Sequence, residues 1–286
     1  MRKIARKVYQ AIPFKQPVLE VLRRLSLPET VYRHLSFQGV FDVEVADTTF
    51  RMRHYGYVIE NEVFWSGLFG HWQGSSLRLW VKAAQQAQSV LDVGANTGLY
   101  ALAAKAASPR AAVVAFEPIE RIRKKLQANV DLNAYDIAVD ATAVSDRDGD
   151  GIMFDTPEEH EISATLENAA STGRPRNHVP VRLARLDTLV AAGTIRPPDL
   201  LKIDVEGHEP AVLRGMENQL RERKPALLIE VLGAEAAAQV DAMVRPLGYQ
   251  VYRLDEDGPR RMDRVVPAPG TNLFLCTPEA AARLLP

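Results

Sequence analysis

The chain has 286 residues, of which 47% are apolar and 25% charged, and its formal net charge is -1. This length accommodates one full α/β domain with an N-terminal addition, and such a domain is stable without disulfides or a structural metal. The balanced charge disfavours nucleic acid as a partner, and the single cysteine excludes an intramolecular disulfide. No apolar run approaches the roughly 20 residues of a membrane span. We therefore predict a cytoplasmic protein without a transmembrane segment.

Residues 1–80 are predicted to form an N-terminal extension of helices followed by a β-hairpin. Short helices are expected in residues 1–36, because apolar residues recur there at helical spacing. These are Val18, Leu19, Val21, Leu22 and Leu25. Two partly alternating runs, 40–46 and 49–53, flank a turn and predict the hairpin. The basic stretch Met1–Gln10 either contacts an anionic membrane surface or forms a solvated helix packed on the main domain.

Aromatic residues recur towards the end of the extension. They are Tyr55, Tyr57, Phe64, Trp65, Phe69 and Trp72. Two interpretations stay open, because such a cluster either forms a wall of a substrate site or packs the extension against the following domain.

The remainder of the chain, 81–286, alternates strands with helices. Apolar runs predict strands at 89–93, 111–116, 137–144, 200–204 and 226–231. This alternation is typical of a doubly wound, mostly parallel sheet with helices on both faces, the α/β class. Two late runs, 249–254 and 272–276, are spaced to form an antiparallel edge. The poorly periodic region 146–176 is interpreted as turns and edge strands near a binding site.

A glycine turn after the first of these strands is the strongest local signal. Asp92 ends the strand, and Gly94 and Gly98 lie in the turn that opens the next helix. A dinucleotide site would show G-x-G-x-x-G, and the middle glycine is missing here. A carboxylate at Asp92 repels a pyrophosphate but suits a cationic ligand. The pattern therefore favours S-adenosylmethionine, which carries an ammonium and a sulfonium, over a nicotinamide cofactor.

The ends of the next two strands complete a predicted nucleoside site. Glu117 ends the second strand, where an acid accepts hydrogen bonds from both ribose hydroxyls, although a surface or capping acid is the alternative. Val144 ends the third strand and is predicted to pack on the adenine ring. Ser145 or Asp146 is predicted to meet the exocyclic amine, with a purely structural loop as the alternative.

Four ionisable residues follow the fourth core strand within six positions. If the methyl acceptor is an alcohol, its proton must leave, and Asp204 and His208 are candidates for the base. Glu206 is predicted to orient the acceptor. The alternative for Asp204 is a hard divalent cation bound together with Glu230, because carboxylate oxygens suit Mg²⁺ or Ca²⁺. The alternative for His208 and Glu209 is a solvated first turn of a helix.

Three blocks of the sequence, 90–98, 114–118 and 200–209, resemble the FkbM family of methyltransferases. The resemblance covers roughly residues 85–277 and implies a Rossmann-like, class I methyltransferase fold with S-adenosylmethionine as methyl donor. It also implies O-methylation of a natural product or carbohydrate as the reaction. Carried over by position, the cofactor contacts are Asp92, Gly94, Asn96, Gly98 and Glu117. The acceptor site carried over in the same way is Asp204, Glu206 and His208.

The resemblance departs from expectation at one point and leaves rival functions to be tested. An acid often expected shortly before the first strand is not evident, and Gln73 stands near that place. A non-catalytic binding module with the same fold is the first rival, and an NAD-dependent oxidoreductase is the second. Methylation of nucleic acid is a third, which the balanced charge disfavours.

Overall fold

The computed structural model describes residues 14–25, 27–70, 73–155, 164–166 and 177–285. The basic stretch 1–10, with its predicted membrane contact, and most of the segment 156–176 lie outside these ranges, as does Trp72. Within them, none of the helices combines the length and the apolar character that crossing a bilayer requires.

In chain order, the strands of the described residues are β1 (Gly39–Val45), β2 (Thr48–His54), β3 (Ser89–Val93), β4 (Ala112–Phe116), β5 (Ile137–Asp140), β6 (Ala143–Val144), β7 (Gly149–Asp155), β8 (Ala164–Thr165), β9 (Asn177–Ala184), β10 (Leu200–Ile203), β11 (Ala226–Ile229), β12 (Gln250–Asp255), β13 (Gly258–Met262) and β14 (Leu273–Cys276). The helices are α1 (Lys15–Arg23), α2 (Glu29–Tyr32), α3 (Val58–Ser66), α4 (Gly74–Ala84), α5 (Leu99–Ala107), α6 (Glu120–Leu132), α7 (Leu186–Ala191), α8 (Glu209–Arg214), α9 (Glu217–Glu222), α10 (Ala234–Val244) and α11 (Pro278–Leu284). A 3₁₀ turn, Arg245–Leu247, follows α10.

The main sheet has the strand order β13–β12–β14–β11–β10–β3–β4–β5. The five strands from β11 to β5 are parallel, and β14 runs antiparallel to both of its neighbours. The predicted doubly wound, mostly parallel sheet with an antiparallel edge is therefore confirmed. After β3 the chain moves to β4 on one side, while β10 lies on the other side. The sheet thus has a switch point beside β3, where open α/β sheets bind ligands at the carboxyl ends of their strands.

Helices cover both faces of the sheet because its central strands are apolar on both sides. Val90 of β3 belongs to the hydrophobic cluster that contains Leu102 of α5. The next residue, Leu91, belongs to the opposite cluster, which contains Val212 of α8 and Val240 of α10. Neighbouring positions of one strand therefore anchor helices on opposite faces, as the alternation of side chains along a strand requires.

The predicted third strand, 137–144, is wrong in extent, because the chain breaks it into β5 and β6. The side chain of Asp140 accepts a hydrogen bond of 2.7 Å from the N–H of Thr142 and turns the chain there. Val144 consequently belongs to a second sheet, with the order β6–β9–β7–β8. The region interpreted as turns and edge strands contains the seven-residue strand β7. Its pattern is hard to recognise because Gly149 and Gly151 occupy positions where apolar side chains would mark a strand.

The N-terminal extension forms the predicted hairpin of β1 and β2, and its aromatic residues pack in the core. Phe64 and Trp65 of α3 are buried, and their rings meet edge to face with centroids 5.2 Å apart. Phe64 also packs edge to face on Phe37 and Phe41. Packing is therefore the interpretation that the described aromatic residues support, since none of those between 55 and 70 lines the large cavity described below.

A buried carboxylate on α3 links the extension to the glycine turn after β3. Glu60 accepts a hydrogen bond of 2.9 Å from the hydroxyl of Thr97 and another of 3.1 Å from the N–H of Tyr57. The carbonyl of Thr97 accepts a bond of 2.9 Å from the side chain of Asn129, whose amide oxygen in turn accepts the N–H of Arg53. Hydrogen bonds thus connect the turn directly to α3, and through Asn129 of α6 to the hairpin.

Burial raises the pKa of Glu60 to about 7, and the hydrogen bond from Thr97 opposes this effect. Between the unfolded pKa of about 4 and the folded pKa of about 7, the folded protein loses stability as pH rises, because the unfolded carboxyl releases its proton there while the folded one retains it. Glu60→Gln removes that cost. We expect the Tm of Glu60→Gln to rise relative to wild type between pH about 5 and about 8.

Thermal unfolding followed by circular dichroism across this pH window provides the measurement. The matched control is Glu44→Gln, because Glu44 is exposed on β1. A Tm difference between Glu60→Gln and wild type that is constant with pH would show that the carboxyl is already ionised in the folded protein.

Candidate active site

A cavity of about 390 Å³ opens at the carboxyl ends of β3, β4 and β10, within the size range of small-molecule sites. It brings together most of the residues predicted from the sequence. Those lining it are Asp92, Gly94, Asn96, Glu117, Val144, Asp204, Glu206, His208 and Glu230. Two predicted residues, Gly98 and Asp146, are not part of the lining.

Asp92 is almost completely buried near the end of β3. Its carboxylate accepts a hydrogen bond of 2.9 Å from the N–H of Ala101 in the first turn of α5. In the sheet register it lies beside Lys202 of β10. Burial raises the pKa of Asp92 to about 7, while the Lys202 ammonium and the Ala101 N–H oppose the shift. A cationic group entering the cavity would therefore favour the ionised form of Asp92.

Glu117 follows β4 and lines the same cavity as Asp92. One of its carboxylate oxygens accepts the N–H of Asn96 at 3.1 Å, and the other accepts the N–H of Ile119 at 3.0 Å. Burial raises the pKa of Glu117 to about 7 despite these bonds. The two backbone donors fix the carboxylate between the glycine turn and α6. Because a carboxylate has about four lone-pair sites, it can still accept hydrogen bonds from a ligand.

The glycines of the turn are required by contacts within the protein. Gly94 has a φ of 82°, and a Cβ at this position would lie 1.9 Å from the backbone oxygen of Asp204. A Cβ on Gly98 would lie 2.4 Å from the side chain of Leu126 on α6. The missing Cβ atoms of these two glycines therefore leave room for the turn after β10 and for α6.

One end of the cavity is apolar and suits a flat aromatic ring. Its wall contains Phe116, Ile122, Val144, Met153 and Leu166. Val144 lines the cavity, although it belongs to the second sheet. Asp146 instead forms an ion pair with Arg214, with the nearest atoms 3.0 Å apart. The side chain of the neighbouring Ser145 contacts the ring of His208.

The opposite end of the cavity is rich in charged groups. Lys202 is buried, and its ammonium donates a hydrogen bond of 3.0 Å to Asp204, whose side chain is 32% exposed. The same ammonium lies 5.2 Å from the centre of the Tyr100 ring. Glu230, at the end of β11, accepts the N–H of Gly270 at 2.8 Å, and burial followed by repulsion from Asp204 raises its pKa.

Lys202 is the main site residue that the sequence reasoning left without a role. Its position inside the apolar run Leu200–Ile203 is the sequence feature that could have identified it, because lysine is almost never buried in a strand unless it is paired. Gln73 is a second residue of the cavity to which the sequence assigned no role. It lines the cavity and accepts a hydrogen bond from the hydroxyl of Tyr100, so an amide lies near the place where an acid was expected.

The turn between β10 and α8 is ordered by buried polar groups. His208 is 9% exposed, and its Nε2 lies 3.0 Å from the hydroxyl of Ser145. Glu209 is fully buried and accepts the N–H groups of Val205 and Gly207. The alternative of a solvated first helical turn is therefore wrong for both residues. Glu206 lines the cavity in a left-handed backbone conformation, with a φ of 55°.

The possible divalent cation at Asp204 and Glu230 receives no further ligands from the structure. Across the described ranges, no group of three or more His, Cys, Asp or Glu side chains is arranged to hold a metal ion. Asp204 is paired with Lys202, and Glu230 is bonded to the backbone of Gly270. Each of the two carboxylates proposed as cation ligands therefore already has a hydrogen-bond donor within the protein.

The sheet order and this cavity define an α/β domain of the methyltransferase class, and the comparison with known families agrees. Residues 92–251 match the family described as the methyltransferase FkbM domain. The chain therefore belongs to the FkbM methyltransferase family.

Two relatives and one solved structure are among the proteins to which this chain is similar. The hexuronic acid methyltransferase AglP of Haloferax volcanii is 32% identical over 145 residues, which are 51% of this chain and 56% of AglP. The 31-O-demethyl-FK506 methyltransferase FkbM of Streptomyces tacrolimicus is 31% identical over 188 residues, 57% of this chain and 72% of that protein. The chain thus spans about half the length of AglP. A crystal structure of methyltransferase FkbM from Methylobacillus flagellatus KT has 16% identity and a TM-score of 0.40, covering 66% of this chain and 43% of that one.

The close contact between Gly94 and the backbone of Asp204 predicts that a side chain at position 94 destabilises the protein. Gly94→Ala introduces left-handed strain of about 1–2 kcal/mol and also pushes on β10. Gly248 is the matched control, because its φ is 84° and no atom lies within 4 Å of the position of a Cβ. We expect Gly94→Ala to lower the free energy of unfolding by about 1–3 kcal/mol more than Gly248→Ala does. Denaturant unfolding measures both free energies. An equal loss of unfolding free energy in the two variants would contradict the close contact between Gly94 and the backbone of Asp204.

Proposed function

We propose that the chain is an S-adenosylmethionine-dependent O-methyltransferase that acts on a hydroxyl group of a sugar or a small natural product. The observation that carries the proposal is that Asp92 and Glu117, from two adjacent strand ends, line one cavity. Membership of the FkbM family supports methyl transfer. Two relatives act, by their names, on a hexuronic acid and on 31-O-demethyl-FK506.

The residues of the cavity fit the cofactor by their chemistry. An apolar wall that includes Val144 suits adenine, and Glu117 lies where it can accept hydrogen bonds from ribose hydroxyls. Asp92 provides negative charge for the cationic end of the cofactor, since burial leaves it with little solvent screening. When bound, S-adenosylmethionine supplies an electrophilic methyl group on a sulfonium. The protein's task is then to place a nucleophilic oxygen in line with that methyl and to accept its proton.

Asp204 is the base that we favour for the acceptor hydroxyl. One of its oxygens is held by the buried Lys202, and the side chain is 32% exposed at the cavity. The carboxylate is thereby oriented while it stays accessible to a ligand. His208 is the second candidate, but its Nε2 is already engaged with the hydroxyl of Ser145. In this arrangement His208 holds the turn after β10, and Asp204 takes the proton.

The charge of the lining also constrains the acceptor. Asp204, Glu206 and Glu230 lie at the reacting end, and the ammonium of Lys202 is already paired with Asp204. A carboxylate on the acceptor would face like charges in a poorly solvated site, which disfavours its binding. We therefore expect an acceptor that is uncharged around its reacting hydroxyl, such as a neutral sugar.

Cofactor binding is the first prediction of this proposal. We expect wild type to bind S-adenosylmethionine and S-adenosylhomocysteine saturably. Asp92→Asn and Glu117→Gln should each weaken this binding by about tenfold or more, because each variant loses a charge-assisted hydrogen bond to the ligand. Isothermal titration calorimetry measures this. Because burial raises the pKa of both carboxyls to about 7, neutral amides are compatible with the fold. The control is Asp136→Asn, an exposed acid outside the cavity.

The outcomes of this titration separate the rival functions. Absence of cofactor binding in wild type would overturn the proposal. Binding without turnover on any acceptor would favour a non-catalytic module. Saturable binding of NAD in place of S-adenosylmethionine would favour an oxidoreductase.

Methyl transfer itself is the second prediction. Incubation with labelled S-adenosylmethionine and a panel of neutral sugars, uronic acids and hydroxylated metabolites, read by mass spectrometry, should give a methyl ether on a neutral acceptor. With that acceptor, Asp204→Asn should lower kcat by about 10²–10⁴, as removal of a general base does. Asp136→Asn should leave kcat unchanged. A larger loss with His208→Gln than with Asp204→Asn would make His208 the base, and preference for a uronic acid would contradict the charge argument.

A further inference from the structure

The first helix of the structure turns an apolar side towards solvent. Phe14, Val18, Val21 and Leu25 are 87%, 60%, 62% and 64% exposed. Val18 and Val21, three positions apart, lie on one side of α1, and Phe14 and Leu25 stand next to its two ends, each four positions further along the chain. Leu19, on the other side, is buried. The stripe formed by these four residues, from Phe14 to Leu25, is called the α1 stripe below.

Single exposed apolar residues are ordinary, but a contiguous set of large ones marks an interaction surface. The α1 stripe contributes four of the exposed large apolar side chains of the described chain within twelve positions. Val31, 45% exposed, follows on α2. The helical apolar pattern predicted from the sequence comprises five residues, from Val18 to Leu25. Of these only Leu19 is buried, so the pattern contributes only in part to the protein core.

The inner side of α1 is anchored to the hairpin, so the stripe lies on a fixed element. The side chain of Gln16 donates a hydrogen bond of 2.6 Å to the carbonyl of Val40. The guanidinium of Arg23 lies over the Phe64 ring, 5.2 Å from its centre. These contacts leave the opposite side of the helix without packing against the rest of the described chain.

Charge is distributed very unevenly between this region and the rest of the protein. Residues 1–34 contain eight Lys or Arg and two Asp or Glu, a net charge of +6. The whole chain has a net charge of -1, so residues 35–286 carry -7. Glu20 is the first acid in the sequence. A basic segment joined to an apolar helical stripe is the combination by which proteins bind anionic lipid surfaces.

We propose that the α1 stripe and the basic N-terminal segment dock the protein on an anionic phospholipid bilayer. The four apolar side chains would enter the boundary between headgroups and acyl chains, and basic side chains such as the exposed Arg24 and Arg33 would bind the lipid phosphates. A contact made by an amphipathic helix lying in the interface is peripheral and reversible. Nucleic acid explains the surface less well, because its phosphates call for basic groups but not for a stripe of exposed valine, leucine and phenylalanine.

Flotation with vesicles tests the proposal on the full chain. We expect wild type to float with vesicles of phosphatidylcholine and phosphatidylglycerol, to float much less with pure phosphatidylcholine, and to be released by high salt. Val18→Ser with Val21→Ser should weaken binding to the anionic vesicles by at least about tenfold, because two apolar side chains no longer leave water. The matched control is Ile152→Ser on β7, where Ile152 is 52% exposed.

Each outcome bears on the proposal. Loss of flotation in the double variant with an unchanged Tm and unchanged flotation of Ile152→Ser supports it. Equal flotation of wild type and the double variant would overturn the role of the stripe. Absence of flotation would overturn the proposal, and a dimer by light scattering that the double variant abolishes would assign the stripe to a second copy of the chain. None of these results depends on methyltransferase activity.

Discussion

The site depends on holding several carboxyl groups at neighbouring strand ends with little water to solvate them. Burial favours their protonated forms, which is why the pKa of Asp92, Glu117 and Glu209 is raised to about 7 in each case. The fold offsets this with backbone N–H donors and with the ammonium of Lys202. Because these donors are fixed by the sheet and the helix starts, the carboxyl groups around the cavity are held in place before any ligand arrives. Such preorganisation is a large part of how enzymes stabilise developing charge.

The sequence predicted the parts of this site that are local along the chain. A strand, a glycine turn and a helix follow one another within a few residues, so the position of Asp92 was readable, and Glu117 and Asp204 are similarly placed at strand ends. Glu60 was not found, because it lies 37 residues before the Thr97 hydroxyl that it binds. The break between β5 and β6 was missed for a related reason: the side chain of Asp140 bends the chain inside an apolar run that otherwise resembles one strand.

The glycine turn makes a contact inside the protein that the local sequence does not reveal. The missing Cβ of Gly94 leaves room for the backbone of Asp204. The turn after β3 and the turn after β10 are therefore packed on each other directly. This contact fixes the glycine turn and the charged turn after β10 relative to each other at the cavity. The charged cluster after β10 is consequently part of the same rigid unit as Asp92.

The hydrogen bonds that join Thr97 to Glu60 and Asn129 also constrain how this protein can be re-engineered. The family-matched segment begins at residue 92, yet the Thr97 hydroxyl in its first loop donates to Glu60, which lies outside that segment. A chimera that exchanges the extension with that of a relative must therefore carry matching partners at 60, 97 and 129. An exchange that removes Glu60 leaves the Thr97 hydroxyl without this acceptor.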